Sequence, residues 1–415
     1  MKVGMALTLP VNYQPLLQSL ARQFHAQGEG RLALVGGAVR DALLHHQLGE
    51  PWRVPPDLDL VLEGPSDGLV SRLQDTLGPE RVTNVLVHQQ FGTAELQIDG
   101  VLIDLAAART ETYPAPGQNP CVQPGALDDD LARRDFTVNA MALVVDPDGS
   151  QLLIDPHGGQ EHLAARRLAF LHEGSVADDP TRVIRAARYA ARLGFCLTPE
   201  ALSQLECTMK AWPWAWRQGD PVDAVPPALG TRLRMELELL LEREPWAEAL
   251  DLLQFWSAMS LLDPGLQSEP RLIRRLGWGA RLGLPTLVAL VAAASDPMAL
   301  ARRLQIPVQQ QRWLEELIEM RSWLFQEVLS KPWSEWGALD WTRKIEDGRW
   351  SIESVALAVL DHPSCWRPLL RWWGRWRHVV PPVSARELIG KGLSPGPELG
   401  EALRQAREQV LKDMR

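Results

Sequence analysis

The apolar and polar positions of the chain fall into two regimes. Through the first 145 residues short apolar runs alternate with stretches of helical spacing, and after about Asp155 the strand signals stop. Arg31–Val35 is an apolar run ending at Gly36-Gly37, and Ala38–His46 has a helix-compatible composition, so strand, turn and helix are expected in that order. Leu58–Leu62 predicts a second strand, and Ser66 is suited to cap a helix over Asp67–Leu77 that Gly78-Pro79 ends. In Thr93–Ile98 the residues Ala94, Leu96 and Ile98 alternate with Thr93, Glu95 and Gln97. A further apolar run, Val101–Leu105, follows Asp99-Gly100, the dipeptide of a tight hairpin. From Leu163 onward the pattern is helix after helix, interrupted at 211–230 by a connecting loop with Trp212, Trp214, Trp216 and four prolines. The expected plan is an N-terminal α/β head followed by a helical body.

Composition narrows the class without changing that plan. At 415 residues the chain has room for two to four domains of ~100–200 residues each. With 46% hydrophobic and 23% charged residues it can bury a sizeable core. Cys121, Cys196, Cys207 and Cys365 form no CxxC pair, which argues against a disulfide scaffold or a zinc module. The apolar run Leu284–Ala294 is too short to span a bilayer, and no basic start with an apolar h-region opens the chain. A cytoplasmic protein with no membrane partner is expected. The net charge of −9 is uneven: residues 300–415 carry 18 basic and 15 acidic side chains, and the first 299 carry 25 and 37. Nucleic acid is bound by local basic patches, so the average charge neither supports nor excludes it.

Four stretches carry candidate chemistry. Gly36 and Gly37, between strand and helix, let backbone approach a phosphate closely, and Arg40 one turn on can reach the same anion; a purely structural turn is the alternative. Asp57 and Asp59 share one face of the second strand, where they either bind a hard divalent cation such as Mg²⁺ or form a solvated face. The glycine turn about twenty residues upstream favours the first, the requirement of a nucleotidyltransferase palm. Asp104 completes a metal cluster if its hairpin arm pairs beside that strand, and is a surface residue of an edge strand otherwise.

Arg133-Arg134 suits a triphosphate, with Asp135 and Asn139 expected four apart on one helix face. The alternative is a surface ion pair. Asp179-Pro180 opens a helix in which Asp179 and Arg182 offer a planar acceptor and a planar donor to a base edge. Arg185 and Arg188 continue the row at steps of three, which winds around the helix; for Arg188 and Arg192 a solvated basic face is the alternative.

Taken together, Gly36-Gly37-x-x-Arg40-Asp41, Asp57-x-Asp59, Arg133-Arg134-Asp135-Phe136-Thr137-x-Asn139-Ala140 and Asp179-Pro180-x-Arg182 resemble the class II tRNA nucleotidyltransferase and bacterial poly(A) polymerase family. The likeness is dense over 31–195 and sparse afterwards, with Arg232-Leu233-Arg234-Met235-Glu236-Leu237 akin to a body motif and Gly392–Gly400 akin to a tail motif. It implies an α+β fold. A polymerase β-like palm with a small mixed sheet (1–145) would precede an all-helical neck with the base-reading helix (146–210), body (211–300) and RNA-binding tail (301–415).

The resemblance further implies that Asp57 and Asp59 hold Mg²⁺ and that Gly36, Gly37, Arg40, Arg134, Asp135 and Asn139 serve the bound nucleotide. Asp179 and Arg182 would select C or A from CTP and ATP, with Arg185 and Arg188 beside them and tRNA as the acceptor. The stretch from Arg109 to Gly125 corresponds to a mobile loop affecting the C-to-A switch. Asp178 replaces the usual Glu before Asp179, which puts the support of the base-reading pair in doubt. No HD-type motif follows the body, so no hydrolase domain is expected. CCA addition, CC addition and A addition stay open. Poly(A) synthesis is less favoured because no long basic extension for other RNA is present, and the intact carboxylates argue against a non-catalytic relative.

Overall fold

The computed structural model describes residues 7, 13–26, 30–53, 57–64, 69–88, 92–211, 220–329, 336–361 and 364–414. By internal contacts the chain divides into two compact units. One comprises Met1–Gln218, Ala224–Glu236 and Glu244–Trp256; the other comprises Gly219–Asp223, Leu237–Arg243 and Ser257–Arg415.

The first unit is built on seven strands: β1 (Arg31–Val35), β2 (Leu58–Glu63), β3 (Val82–His88), β4 (Thr93–Ile98), β5 (Val101–Ala107), β8 (Ala142–Val145) and β9 (Gln151–Ile154). Between β5 and β8 the chain forms a separate hairpin of β6 (Arg109–Thr112) and β7 (Cys121–Pro124). The seven-stranded order is β3-β4-β5-β2-β1-β8-β9, and only the β2–β5 pair is parallel, so the sheet is mixed as expected. Its last strand ends at Ile154, past residue 145. Burial explains the order: Leu32–Val35 of β1 and Leu60–Leu62 of β2 are all nearly inaccessible, as inner strands covered on both faces must be.

Turn chemistry fixes the β4–β5 hairpin. Asp99 and Gly100 both have positive φ, 50° and 80°, the geometry a two-residue turn needs to match strand twist. Gly36, with φ 71° and ψ −138°, turns β1 into the helix Gly37–Leu48, a conformation in which a side chain is strained. The helix after β2 runs Leu69–Leu77; Ser66 and Asp67 lie outside the described residues. Beyond Asp155 helices dominate. The exception is the two-residue parallel pair Arg167–Leu168 with Cys196–Leu197, too short to leave a periodic signal.

The second unit is helical. The apolar run near Leu284–Ala294 becomes the buried helix Thr286–Ala292, and no described helix is long and apolar enough to cross a membrane. Trp323, Trp336, Trp341 and Trp350 pack together, with the Trp323 and Trp350 ring centroids 5.0 Å apart. Trp212, Trp214 and Trp216 lie outside the described residues.

Candidate active site

The parallel pairing of β2 and β5 sets the carboxylates. It places Asp59 opposite Asp104, and the β4–β5 pairing places Asp104 opposite Glu95, so three acidic residues lie in register across adjacent strands. Asp104 is therefore an inner-strand residue and not one at the sheet edge. Together with Arg133 and Arg134 these three line a cleft of about 360 Å³. Burial, then the charge of Asp57, pushes the Asp59 carboxyl up to about 6, with Asp104 adding to the rise and Arg134 opposing it. Burial and the same Asp57 also raise Asp104, with Glu95 contributing.

Mutually repelling, half-buried oxygen donors suit a hard divalent cation. No group of three or more metal-ligating side chains is gathered tightly enough to hold one alone among the described residues. Mg²⁺ is usually held by one or two carboxylates together with substrate phosphates.

Beside Asp59 and Arg134 the cleft is shaped by Gly36. A Cβ there would lie 2.9 Å from Asp59 Oδ2 and 3.4 Å from Arg134 Nη1, so the bare backbone keeps open the space between carboxylate and guanidinium. Gly36→Ala is expected to lower kcat/KM for nucleotide by about tenfold or more while costing about 1 kcal/mol of stability. Steady-state kinetics beside a denaturant curve test this, and unchanged kinetics would remove Gly36 from the nucleotide cradle. Arg134 Nη2 donates to the fully buried Asp130 at 2.9 Å, and its Nε has no partner among the described residues. Arg133 also binds Asp130 and reaches Glu111 on β6 at 2.9 Å.

Arg40 takes a different place from the one its spacing suggests. It is only 3% exposed; its Nε donates to Asp41 and its Nη1 to Asn139 Oδ1, each at 2.8 Å. Its guanidinium lies 5.4 Å from the Tyr189 ring centroid, a ring that Arg188 and Arg192 also approach. Gly37 remains beside it, a Cβ there falling 3.4 Å from Arg40 Nη2.

The expected helix through Arg133–Asn139 is not formed. The helix Leu127–Ala132 stops at Arg133, Phe136 is extended (φ −132°, ψ 144°) and bridges to Phe170, and Thr137–Asn139 is a single 3-10 turn. Asp135 accepts the next backbone N–H, from Phe136, at 2.9 Å, which competes with helix propagation. Asp135 and Asn139 thus share no helix face: Asp135 lies 3.2 Å from Arg185 Nε, whereas Asn139 serves Arg40. The segment 109–125, expected as a loop, includes the antiparallel β6–β7 hairpin, with Arg109 opposite Pro124 and Thr112 opposite Cys121.

The helix Thr181–Leu193 carries the base-reading candidates. Asp179 Oδ1 accepts from the backbone N–H and hydroxyl of Thr181, at 3.0 and 2.6 Å, and so caps the first turn. Its Oδ2 binds Arg232 and lies 3.5 Å from Arg185. Burial raises Asp179, but Arg185 and Arg232 outweigh it and hold the carboxylate below its usual range. Arg182, 2% exposed, donates to Ser175 and to the Arg133 carbonyl, and its buried Nε has no partner among the described residues. Asp178 faces His172 at 3.8 Å.

Arg188 is not solvated: it binds Glu236 at 3.0 Å and lies 3.7 Å from Glu244, which also holds Arg192. The structure thus adds Asp130, Tyr189, Arg232 and Glu236 to the site. The sequence signals that could have found the last two are Arg232 and Glu236 in the body-like motif, four apart on one helix face.

Three comparisons bear on this arrangement. Residues 32–169 match the family described as the poly A polymerase head domain. A CC-adding tRNA nucleotidyltransferase of Deinococcus radiodurans is 34% identical over 393 residues, spanning 93% of this chain and 86% of that protein. The chain belongs to the tRNA nucleotidyltransferase family. An A-adding tRNA nucleotidyltransferase of Aquifex aeolicus is 35% identical over 59% of this chain but only 27% of its own length. An apo CCA-adding enzyme matches in fold with a TM-score of 0.75 at 23% identity, covering 98% of this chain and 93% of that one. As in other nucleotidyltransferases of the family, a divalent metal is the cofactor class.

Proposed function

We propose that this nucleotidyltransferase adds C, or C and A, from CTP and ATP to the 3′ end of tRNA without a nucleic-acid template. The observation that carries the reading is the register of Asp59 with Asp104 beneath the Gly36 turn, linked by Arg134, Asp130 and Arg133 to Arg182. In this reading Asp57 and Asp59 hold Mg²⁺, with Asp104 as the third carboxylate of the centre. When bound, the metal lowers the pKa of the attacking hydroxyl and offsets triphosphate charge.

The remaining work falls to protein groups. The Gly36-Gly37 backbone and Arg134 orient the phosphates for in-line attack. Arg40, fixed by Asn139 and Tyr189, holds the turn against the nucleotide. Asp179 and Arg182 meet the base edge, with Arg185 and Arg232 keeping Asp179 charged and in place, Asp135 holding Arg185, and Arg188 sharing Glu236 with it. Residues 1–145, with β9 completing their sheet, act as head, the rest of 146–210 as neck, 211–300 as body and 301–415 as RNA-binding tail, a cytoplasmic division of labour with tRNA as acceptor. The Deinococcus relative, covered over most of its length, favours CC addition.

The deciding experiment extends three tRNA transcripts, ending before CCA, after C and after CC, with CTP and ATP supplied separately and together. Completion of all three means CCA addition and a halt after CC means CC addition. No extension of any transcript overturns the proposal.

A further inference from the structure

A cavity of about 530 Å³ in the second unit is lined by residues of the helices Leu272–Arg281, Ile352–Asp361 and Trp366–Gly374, within the ~300–1,000 Å³ typical of ligand sites. It contains none of the residues of the cleft described above. Its lining brings together the indoles of Trp278 and Trp366, aliphatic Leu370, and the guanidinium groups of Arg271, Arg274 and Arg275. Trp278 is 40% exposed, although Trp341, Trp372 and Trp376 of the same unit are buried. Each lining indole already carries a cation against its ring, Arg281 at 5.2 Å from Trp278 and Arg367 at 5.3 Å from Trp366.

Three guanidinium groups line the cavity against two carboxylates, Glu269 and Asp361. Asp361 is committed to Arg275 and Arg321, and Glu269 lies 3.7 Å from Arg275. Arg271 and Arg274 are exposed and make no ion pair among the described residues, so the cavity carries surplus positive charge in a chain of net −9. Flat apolar rings beside unpaired guanidinium groups complement a ligand that is planar at one end and anionic at the other.

We infer that this cavity binds one nucleotide, its base against Trp278 or Trp366 and its phosphate at Arg271 and Arg274. The nucleotide is either free in solution or an unstacked residue of an RNA strand. The second source rests on the tRNA reading above, and the first does not.

Equilibrium dialysis of the full chain with labelled ATP and Mg²⁺ counts nucleotides bound per chain, and filter binding with a tRNA transcript gives the RNA affinity. Trp278→Leu and Arg274→Glu, both at exposed positions, are compared with the unaltered chain. Trp278→Phe, which keeps a stacking ring, is the rescue variant. If the ligand is free nucleotide, the first two variants each bind one ATP fewer per chain than the unaltered chain.

If it is an RNA nucleotide, the ATP count is the same in all variants. Then Trp278→Leu raises the tRNA Kd about five-fold or more, and Trp278→Phe restores it. An ATP count and a tRNA affinity both unchanged in Trp278→Leu and Arg274→Glu would overturn the inference. Failure of the unaltered chain to extend tRNA would strike the functional reading and leave the ATP count standing.

Discussion

Replacing Asp59 with alanine is expected to lower nucleotide transfer by about 10³-fold or more while RNA affinity changes by less than about two-fold. The size of the effect follows from position. Asp59 lies in register with Asp104, it is the carboxylate whose oxygen a Cβ on Gly36 would press against, and Arg134 closes the far side. Removing it takes away a proposed metal ligand, worth several kcal/mol of transition-state charge stabilisation, without touching a residue of the helical unit that would grip RNA. Folding is not the expected casualty, because burial and Asp57 disfavour its charged form, so its loss relieves repulsion. Single-turnover transfer with Mg²⁺, measured beside tRNA binding, separates the two effects. Turnover retained within about tenfold would sink the metal assignment.

Arg182→Ala is expected to weaken discrimination of CTP and ATP against UTP and GTP by about ten- to a hundredfold, the value of a two-point contact to a base edge. Arg182 is held from two sides, by Ser175 and by the Arg133 carbonyl, and its Nε is a buried donor with no protein partner among the described residues. A buried donor left open beside a charged Asp179 is costly unless a ligand completes it. The substitution also strands its three acceptors on Ser175 and Arg133, so stability should fall by about 1–3 kcal/mol. Ratios of kcat/KM across the four nucleotides distinguish the roles: a uniform drop would mean only a loosened fold, and unchanged ratios would remove Arg182 from base reading.

The parts of this site legible in the sequence are those whose signal is local. Gly36 before a helix, Asp59 on the second strand and the Asp99-Gly100 turn each declare themselves within a few residues, and each forms as expected, whereas Asp57 falls just before that strand, which begins at Leu58. Strand β3 does not, because a register shift between Thr83 and Leu86, with Asn84 at φ 51°, breaks its alternation. The Arg133–Asn139 stretch misleads for the opposite reason. Its spacing suits a helix, but Phe136 is drawn into a bridge with Phe170, a partner 34 residues on. Arg232 and Glu236 are ordinary helix residues in sequence, and only folding brings them to Asp179, Arg185 and Arg188. Ion networks assembled across 50 residues leave no periodic trace.

The two-residue turn between β4 and β5 bears on how this gene can change length. Side chains alternate faces at every step, so one codon lost or gained within Val101–Ile103 would carry Asp104 through the sheet, a loss bringing Leu105 and a gain Ile103 into its place among the carboxylates. Paired changes of two codons would spare the face but slide Asp104 away from Asp59. The β4–β5 hairpin is thus closed to the insertions and deletions that surface loops absorb freely, and length variation among descendants of this chain should collect outside it.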